Sequence, residues 1–145
     1  MNADRYPLIL VGGGLANGLI AWRLRHALPD VHFLLIEQSD RLGGHHTWSL
    51  HGSDVTAGQR AWLDPLVTQV FRGYDVRFPT HRRTLNGDYL SLRSGDFHDR
   101  VAAACGDRVL LNQTVREVTA DGVTLAGGTR LSADLVLDGR GATRS

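Results

Sequence analysis

The strongest constraint on the fold is a cluster of three glycines between a short apolar segment and an amphipathic one. Tyr6–Val11 reads YPLILV, and Gly12–Gly14 follow directly. A short apolar run that ends at glycines is typical of a buried strand in a parallel sheet. From Leu15 to Leu28 the apolar residues recur at helical spacing, and Pro29-Asp30 ends the predicted helix. The segment therefore predicts a strand, a tight turn and a helix.

A second apolar run follows the predicted helix. Val31–Glu37 reads VHFLLIE, which predicts another buried strand. Strand, helix and strand together make a βαβ unit, and such crossovers are right-handed in nearly all proteins. The first 37 residues therefore predict an α/β fold with a parallel sheet.

The glycine cluster partly matches the dinucleotide-binding fingerprint G-x-G-x-x-G. Gly12 and Gly14 occupy the first two glycine positions, where one makes the turn and the other lets a pyrophosphate approach the backbone. Asn17 occupies the third, where glycine normally allows close packing of helix and strand, and Gly18 and Ala21 partly compensate. Taken alone, the motif also fits a glycine-rich turn that binds nothing. The predicted phosphate-binding residues are Gly12, Gly13, Gly14, Leu15 and Ala16.

An acidic residue at the end of the second strand strengthens the dinucleotide interpretation. Glu37 lies 25 positions after Gly12, where a carboxylate can accept hydrogen bonds from the ribose hydroxyls. The same carboxylate would repel a 2′-phosphate, which argues against NADP at this site. Strand, turn, helix, strand and acid in this order predict a dinucleotide site.

Two further elements are typical of FAD-binding proteins. Arg41, Gly43 and Gly44 resemble the R-x-G-G element that lies along the FAD pyrophosphate in large flavoprotein families. Asp138 and Gly139 follow an apolar strand at the position where those families return to the cofactor. We therefore predict a Rossmann-type FAD-binding βαβ unit with an antiparallel β-meander, incomplete as an α/β fold.

The segment between these elements predicts a mixture of short helices and strands. Thr56 is a candidate N-cap for a short helix, and Ser94 for a helix that runs to Cys105. Asn86-Gly87 predicts a type I′ hairpin between strands at 76–84 and 88–92. Four extended runs between residues 109 and 131 predict the meander, followed by a separate strand at 135–137.

Composition excludes several classes of protein. With 16 basic and 15 acidic residues among 145, the formal charge is +1, which gives no reason to expect nucleic acid as a partner. The single cysteine, Cys105, cannot form an internal disulfide, and no apolar run approaches the roughly 18 residues of a membrane helix. These features predict a cytoplasmic protein, with peripheral membrane contact left open.

Four stretches resemble the bacterial lycopene β-cyclases. They are LILVGGGLANGLIAWRL, GGHHTWS, VRFPTHRRTLNGDYL and VLDGRG. Asn17 belongs to the family's G-L-A-N-G string, whereas His45 departs from the asparagine that precedes H-T-W-S in the family. The resemblance covers nearly all of the chain but only the leading portion of a cyclase. It implies one FAD-binding domain over residues 1–145, with the substrate-binding portion absent.

The resemblance also implies a reaction. Such an enzyme cyclises the ψ ends of lycopene to β-ionone rings, giving γ-carotene and then β-carotene, without net redox change. Reduced FAD is the bound cofactor and NAD(P)H keeps it reduced. Because lycopene is a membrane lipid, the whole enzyme is expected to associate peripherally with the membrane. The acidic residues that act in catalysis lie beyond this chain, so no catalytic residue is assigned.

Other interpretations remain open at this stage. The chain is alternatively part of another FAD-dependent oxidoreductase, of the monooxygenase or prenyl reductase type, or a truncated, non-catalytic dinucleotide-binding remnant. His46, Thr47 and Trp48 lie near the flavin or simply pack within a loop. The basic run His81-Arg82-Arg83 is either a solvated strand face or a site for phosphate or lipid, and Cys105 is expected to be buried and inert.

Overall fold

The computed structural model describes residues 5–141, which fall into two compact units. We call residues 5–44 and 98–141 the Rossmann unit and residues 45–97 the hairpin unit. In chain order the elements are β1 (Arg5–Val11), α1 (Leu15–Ala27), β2 (Phe33–Ile36), β3 (Thr47–His51), α2 (Ala57–Leu63), β4 (Gln69–Phe78), β5 (His81–Arg93), α3 (Ser94–Cys105), β6 (Val109–Leu110), β7 (Val115–Thr119), β8 (Gly122–Leu125) and β9 (Arg130–Asp138).

A six-stranded mixed sheet forms the Rossmann unit, in the order β6-β2-β1-β9-β8-β7. The strands β6, β2, β1 and β9 are parallel, whereas β8 is antiparallel to both of its neighbours. In the register, Val11 pairs with Ile36 on one side and with Asp138 on the other. The predicted βαβ unit and α/β class are therefore confirmed.

Apolar side chains from the sheet strands form the core of the Rossmann unit. All four residues of β2, which read FLLI, are buried, as expected for a strand covered on both faces. Burying each such side chain stabilises the fold by about 1.5–3 kcal/mol. The buried cluster comprises Ile9, Val11, Leu34, Ile36, Val115, Val123, Leu125 and Ala133.

The predicted meander is wrong in two details. The first of its four runs, β6, pairs in parallel with β2 and so extends the parallel part of the sheet. The last run and the separate strand predicted at 135–137 belong to one strand, β9, because no glycine or proline interrupts the segment between them. Residues 130–132 of β9 pair antiparallel with β8, and residues 132–138 pair parallel with β1.

An antiparallel sheet in the order β3-β5-β4 forms most of the hairpin unit. The β4–β5 turn lies at Pro79-Thr80, so the hairpin predicted at Asn86-Gly87 is wrong. Asn86 and Gly87 lie inside β5 and oppose the single residue Gly73, whose φ is +94°. The Asn-Gly pair therefore supplies a β-bulge rather than a turn, because cross-strand pairing continues on both sides of it.

The helix α2 begins where the sequence indicates, whereas Ser94, predicted as an N-cap, is the first residue of α3. The hydroxyl of Thr56 accepts the amide of Gln59 at 3.2 Å, and the Gln59 side chain accepts the Thr56 amide at 2.8 Å. This capping box starts α2 as predicted. The helix α3 ends at Cys105, and Gly106 follows with φ +57°. Across residues 5–141, no helix is long and apolar enough to cross a membrane.

Candidate functional site

Two glycine-containing loops meet at the carboxyl ends of β2, β1 and β9. The amide of Gly12 donates to the Ile36 carbonyl at 2.8 Å, and the amide of Gly139 donates to the Val11 carbonyl at 2.8 Å. Ligands of open parallel sheets bind at this edge. The register of the three strands thus brings the first and last predicted elements of the dinucleotide site together.

Two of the three glycines in the first turn have neighbours too close for a side chain. Gly12 has φ +90°, and a Cβ there would lie 3.2 Å from the carbonyl carbon of Gly139. A Cβ on Gly13 would collide with the side chain of Leu42. At Gly14 the space that a Cβ would take is empty. Gly12 and Gly13 therefore serve packing of the loops, whereas Gly14 leaves room beside the helix start.

The N-terminus of α1 is open. Gly14 is its N-cap residue and supplies no side chain to the free amides, and the first turn contains no acidic residue. The N–H groups of the first turn lack partners within a helix, and the helix dipole places partial positive charge on them. The amides that follow Gly14, at Leu15 and Ala16, therefore present an anion-binding surface.

The carboxylate of Glu37 is held in place by two backbone amides. Oε2 accepts the Gly13 amide at 2.6 Å, and Oε1 accepts the Ser39 amide at 2.9 Å. Two oxygens offer about four acceptor positions, so each oxygen keeps capacity for a further donor. Glu37 also lines an open pocket of about 340 Å³. The carboxylate is thus oriented and still able to accept ligand hydroxyls.

The pocket beside Glu37 contains residues that the sequence did not identify. Its wall is formed by Val11, Gly12, Gly14, Ile36, Glu37, Gln38, Gln113, Thr114, Val115, Gly139, Arg140 and Gly141. The segment 113–115 reaches the site because the Gln113 amide donates to the Glu37 carbonyl at 3.0 Å. No sequence motif marks this segment, since its position follows from the pairing of β6 with β2.

The loop after β2 packs against the first glycine turn. The Gly43 amide donates to the Gly13 carbonyl at 2.8 Å, and the Leu42 amide donates to His98 Nδ1 at 3.0 Å. Gly43 and Gly44 have φ of +76° and +56°, which glycine adopts without strain. The buried Nε of Arg41 has no hydrogen-bond partner within residues 5–141. A buried, unpaired cationic donor is costly, so Arg41 suits an anionic ligand.

The side chain of Asn17 holds the backbone of the first glycine turn by hydrogen bonds. Its side-chain amide donates to the carbonyls of Val11 and Gly12, each at 2.9 Å, and the residue is 4% exposed. A Cβ on Gly139 would lie 2.5 Å from the Asn17 Nδ2. The third glycine of the general motif is thus replaced by an amide that fixes the turn, and the close approach is provided by Gly139.

Asp138 and Arg140 form an ion pair at the end of β9. The guanidinium donates to both carboxylate oxygens, at 2.9 and 2.7 Å, and also to the Val115 carbonyl at 3.0 Å. The hydrogen bonds from Arg140 hold the pKa of the Asp138 carboxyl below its usual value. The pair therefore anchors the end of β9 to β7 beside the pocket.

The other residues considered from the sequence, His46, Trp48 and Cys105, do not line the pocket beside Glu37. In the hairpin unit, the His46 ring stacks on Trp48 with ring centroids 5.8 Å apart, and the His46 amide donates to Ser94 at 3.1 Å. No group of three histidine, cysteine or acidic side chains within 5–141 is arranged to hold a metal ion. Cys105 is buried, as predicted, and burial raises the pKa of its thiol to about 11.

The parallel sheet and the glycine turn identify the structural class of the protein. The architecture is that of a Rossmann-type α/β protein, and solved structures share it. A p-nitrophenol 4-monooxygenase from Pseudomonas putida DLL-E4 matches with a TM-score of 0.73 at 17% identity, over 98% of this chain and 42% of that chain. A 2-methyl-3-hydroxypyridine-5-carboxylic acid oxygenase matches with a TM-score of 0.67 at 20% identity, over 92% and 38%.

Sequence comparison identifies the family within that class. Residues 7–145 match the lycopene cyclase protein family. The chain is 52% identical to a lycopene beta-cyclase of Pseudescherichia vulneris over 138 residues and 46% identical to one of Pantoea ananas over 136 residues. It therefore belongs to the lycopene cyclase family. The aligned part covers 95% and 94% of this chain, but only 36% of each relative.

Proposed function

We propose that this chain forms the FAD-binding part of a lycopene β-cyclase. The observation that carries the proposal is the open N-terminus of α1 next to the Glu37 carboxylate, which two backbone amides hold in place. The first feature suits a diphosphate and the second suits an adenosine ribose. Membership in the lycopene cyclase family supports the choice of reaction.

Each predicted residue has a defined part in holding the cofactor. The amides at Leu15 and Ala16, with the space at Gly14, receive the diphosphate. Arg41 brings a positive charge and an unpaired Nε to the same anion. Gly12, Gly13, Gly43, Asp138 and Gly139 hold the surrounding loops through the backbone and ion-pair contacts described above, and Gly44 allows the turn of the loop after β2. None of these residues is proposed to react.

The proposed reaction needs stabilisation of positive charge rather than electron transfer. Cyclisation of a ψ end adds a proton to a terminal double bond, closes the ring by attack of a neighbouring double bond and releases a proton. A bound, reduced flavin, kept reduced by NAD(P)H, would supply fixed negative charge near the cation. The part of this chain is to bind and orient that cofactor, and no residue of the chain is proposed as the acid.

The proposed substrate is lycopene, which dissolves in membranes and not in water. A cyclase must therefore take its substrate from a lipid bilayer, and we include peripheral membrane contact in the proposal. Because the chain spans about a third of its curated relatives, we expect FAD binding but no cyclisation from these 145 residues alone. A non-catalytic, dinucleotide-binding role of the chain is the second candidate, and the open N-terminus of α1 beside Glu37 supports it equally.

The cofactor proposal is tested by titrating the 145-residue chain with FAD and following flavin fluorescence, with NADP as a competing ligand. We expect stoichiometric FAD binding that NADP does not displace. Arg41→Gln should weaken FAD binding about ten-fold because it removes a charge-assisted contact. Arg93→Gln, in β5 of the hairpin unit, is the matched control and should bind like the unaltered chain. A folded chain that retains no FAD contradicts the proposal.

The cyclase part is tested with a longer chain. The 145 residues are joined to the remaining portion of the Pseudescherichia vulneris relative and incubated with lycopene in vesicles, FAD and NAD(P)H. β-Carotene from the joined protein, and none from the 145-residue chain, is the expected result. If the chain alone forms β-carotene, the division of roles proposed here is wrong. If a folded, FAD-loaded joined protein forms none, this chain does not serve a cyclase.

A further inference from the structure

The end of the β4–β5 hairpin has an exposed aromatic and basic surface that the cofactor site does not use. We call residues 77–83 the hairpin tip. Phe78 is 63% exposed, although a phenylalanine is usually buried. Three arginines are exposed around it, at positions 77, 82 and 83. The hairpin tip is thus apolar at one side chain and positively charged around it.

Two arginines of the hairpin tip oppose each other across the two strands of the hairpin. Arg77 and Arg82 are directly opposite each other in the β4–β5 register, and like charges at such positions destabilise a hairpin. A single carboxylate, that of Asp75, accepts from Arg77 at 3.3 Å and from Arg82 at 2.7 Å. One negative charge does not balance two guanidinium groups. The arrangement therefore leaves positive charge available to an external anion.

Charge is concentrated at the hairpin tip relative to the whole chain. The segment reads RFPTHRR and contains three arginines, one histidine and no acidic residue, whereas the chain as a whole has a formal charge of +1. A positive segment within a nearly neutral chain is complementary to a negatively charged surface. The matching partner is therefore extended and anionic, rather than a single small ligand.

The position of Phe78 distinguishes lipid from other anionic surfaces. It is the last residue of β4 and directly precedes the Pro79-Thr80 turn, so it lies at the extremity of the hairpin. Val76, two positions earlier, lies on the same face of the strand. An aromatic side chain at the end of a basic element can enter the boundary between headgroups and acyl chains, while the arginines contact lipid phosphates.

Pairing with another strand fits less well. β4 is an edge strand of its sheet in the described part of the chain, and the Asn86-Gly87 bulge lies on its neighbour β5, opposite Gly73. Exposed charges on an edge strand oppose strand-to-strand association. Arg72 and Arg77 provide such charges on this edge. The edge of β4 is therefore poorly suited to extension of the sheet by a further strand.

We propose that the hairpin tip docks on an anionic phospholipid bilayer, with Phe78 in the acyl boundary and the arginines at the headgroup phosphates. The inference deepens the proposed function and rests on it, because a carotenoid substrate is reached through a bilayer. It assigns the basic run at 81–83 to a lipid site rather than to a solvated strand face.

The test is sedimentation of the 145-residue chain with vesicles of phosphatidylcholine alone or with 30 mol% phosphatidylglycerol. We expect binding only to the anionic vesicles and its loss at 0.5 M NaCl. Phe78→Ala should weaken the partition about ten-fold, and Arg83→Gln about five-fold. Leu28→Ala removes another exposed apolar side chain, and Arg116→Gln another exposed arginine, and both controls should leave the partition unchanged.

Insertion is measured separately with an environment-sensitive fluorophore. Thr80→Cys labels the turn of the hairpin tip and Thr129→Cys labels an exposed position between β8 and β9. With anionic vesicles the label at position 80 should shift to the blue, and the label at position 129 should not. Circular dichroism of each variant establishes that it is folded.

Three results overturn the docking proposal. They are the absence of vesicle binding by the folded chain, equal loss in the hairpin and control variants, and self-association that Phe78→Ala abolishes without any vesicle binding. FAD titration of the same preparations keeps the two proposals separable. Vesicle binding through the hairpin tip together with absence of FAD binding would reject the cofactor proposal alone, and the converse result would reject docking alone.

Discussion

The backbone amide of Gly13 donates to the Glu37 carboxylate across 2.6 Å, which ties the first glycine turn to the end of β2. The turn and the acid are thus parts of one hydrogen-bonded unit rather than independent contacts to a cofactor. A change at Glu37 is therefore expected to affect both the ribose contact and the shape of the turn that faces the diphosphate.

Glu37→Gln tests this unit. The amide is nearly isosteric but uncharged and has one acceptor oxygen, so it can accept only one of the Gly13 and Ser39 amides, and its NH2 group faces the other donor. We expect FAD affinity to fall about ten-fold or more, measured by flavin fluorescence. Glu117→Gln, an exposed residue of β7, should bind FAD normally. Unchanged FAD affinity in the Glu37→Gln variant would show that the carboxylate does not contribute to FAD binding.

The contact between Asn17 and Gly139 predicts a suppressor pair. Gly139→Ala places a methyl group 2.5 Å from the Asn17 amide nitrogen, and such overpacking costs about 1–3 kcal/mol. Asn17→Ala removes the colliding atoms, so the double variant should be less destabilised than the sum of the single variants. Urea unfolding of the four proteins gives the coupling energy.

Gly141→Ala is the matched control for that pair, because the space beside Gly141 is empty. It should be close to neutral in either background. Additive effects of Asn17→Ala and Gly139→Ala, within about 0.3–0.5 kcal/mol, would show that the two residues do not collide.

The Asp138–Arg140 pair predicts a pH dependence below about 4. Hydrogen bonds from Arg140 lower the pKa of Asp138 in the folded chain, so the carboxyl binds its proton less readily than in the unfolded chain. The stabilisation is present above the unfolded pKa and is lost as pH falls through the folded pKa. Arg140→Gln should return the pKa of Asp138 toward its ordinary value, measured by NMR titration. Arg130→Gln, which breaks the Asp121 pair instead, should leave Asp138 unchanged.

Burial of Cys105 predicts that the stability of the folded chain falls at alkaline pH. Burial raises the pKa of its thiol to about 11, against an ordinary value of 9.0. The neutral thiol therefore stabilises the folded chain below pH 9, and this contribution is lost as pH rises from 9 toward 11. A thiol reagent at pH 8 should modify the folded chain far more slowly than the urea-unfolded chain. Equal rates would mean that the thiol is accessible.

The βαβ unit could be predicted from the sequence because each of its signals lies within a few consecutive residues. An apolar run, glycines, a helical period and a second apolar run fix the order of elements whatever follows. The capping box at Thr56 and the helix end at Gly106 are also local, and both are confirmed.

The errors arose where distant pairing decides the outcome. Asn86-Gly87 carries a strong local signal for a turn, but pairing of β4 with β5 on both sides turns it into a bulge. The β3 strand was not predicted, because its exposed residues alternate with only partly buried ones and the strand depends on β5 for its partners.

The pocket was only partly predictable for the same reason. Glu37 and the glycines carry a recognisable motif, whereas the segment 113–115 reaches the pocket through its contact with Glu37. The role of Asn17 depends on the orientation of the Val11 and Gly12 carbonyls, which residue spacing does not predict. Assignment of a single domain to residues 1–145, and of each cofactor contact, stays a prediction.

The position of β9 also has a consequence for biosynthesis. Because β1 pairs along its length with β9, one side of β1 has no partner until residues 130–138 have been translated. During that interval the nascent chain presents an apolar, unpaired edge, which makes it a substrate for chaperones and leaves it open to aggregation.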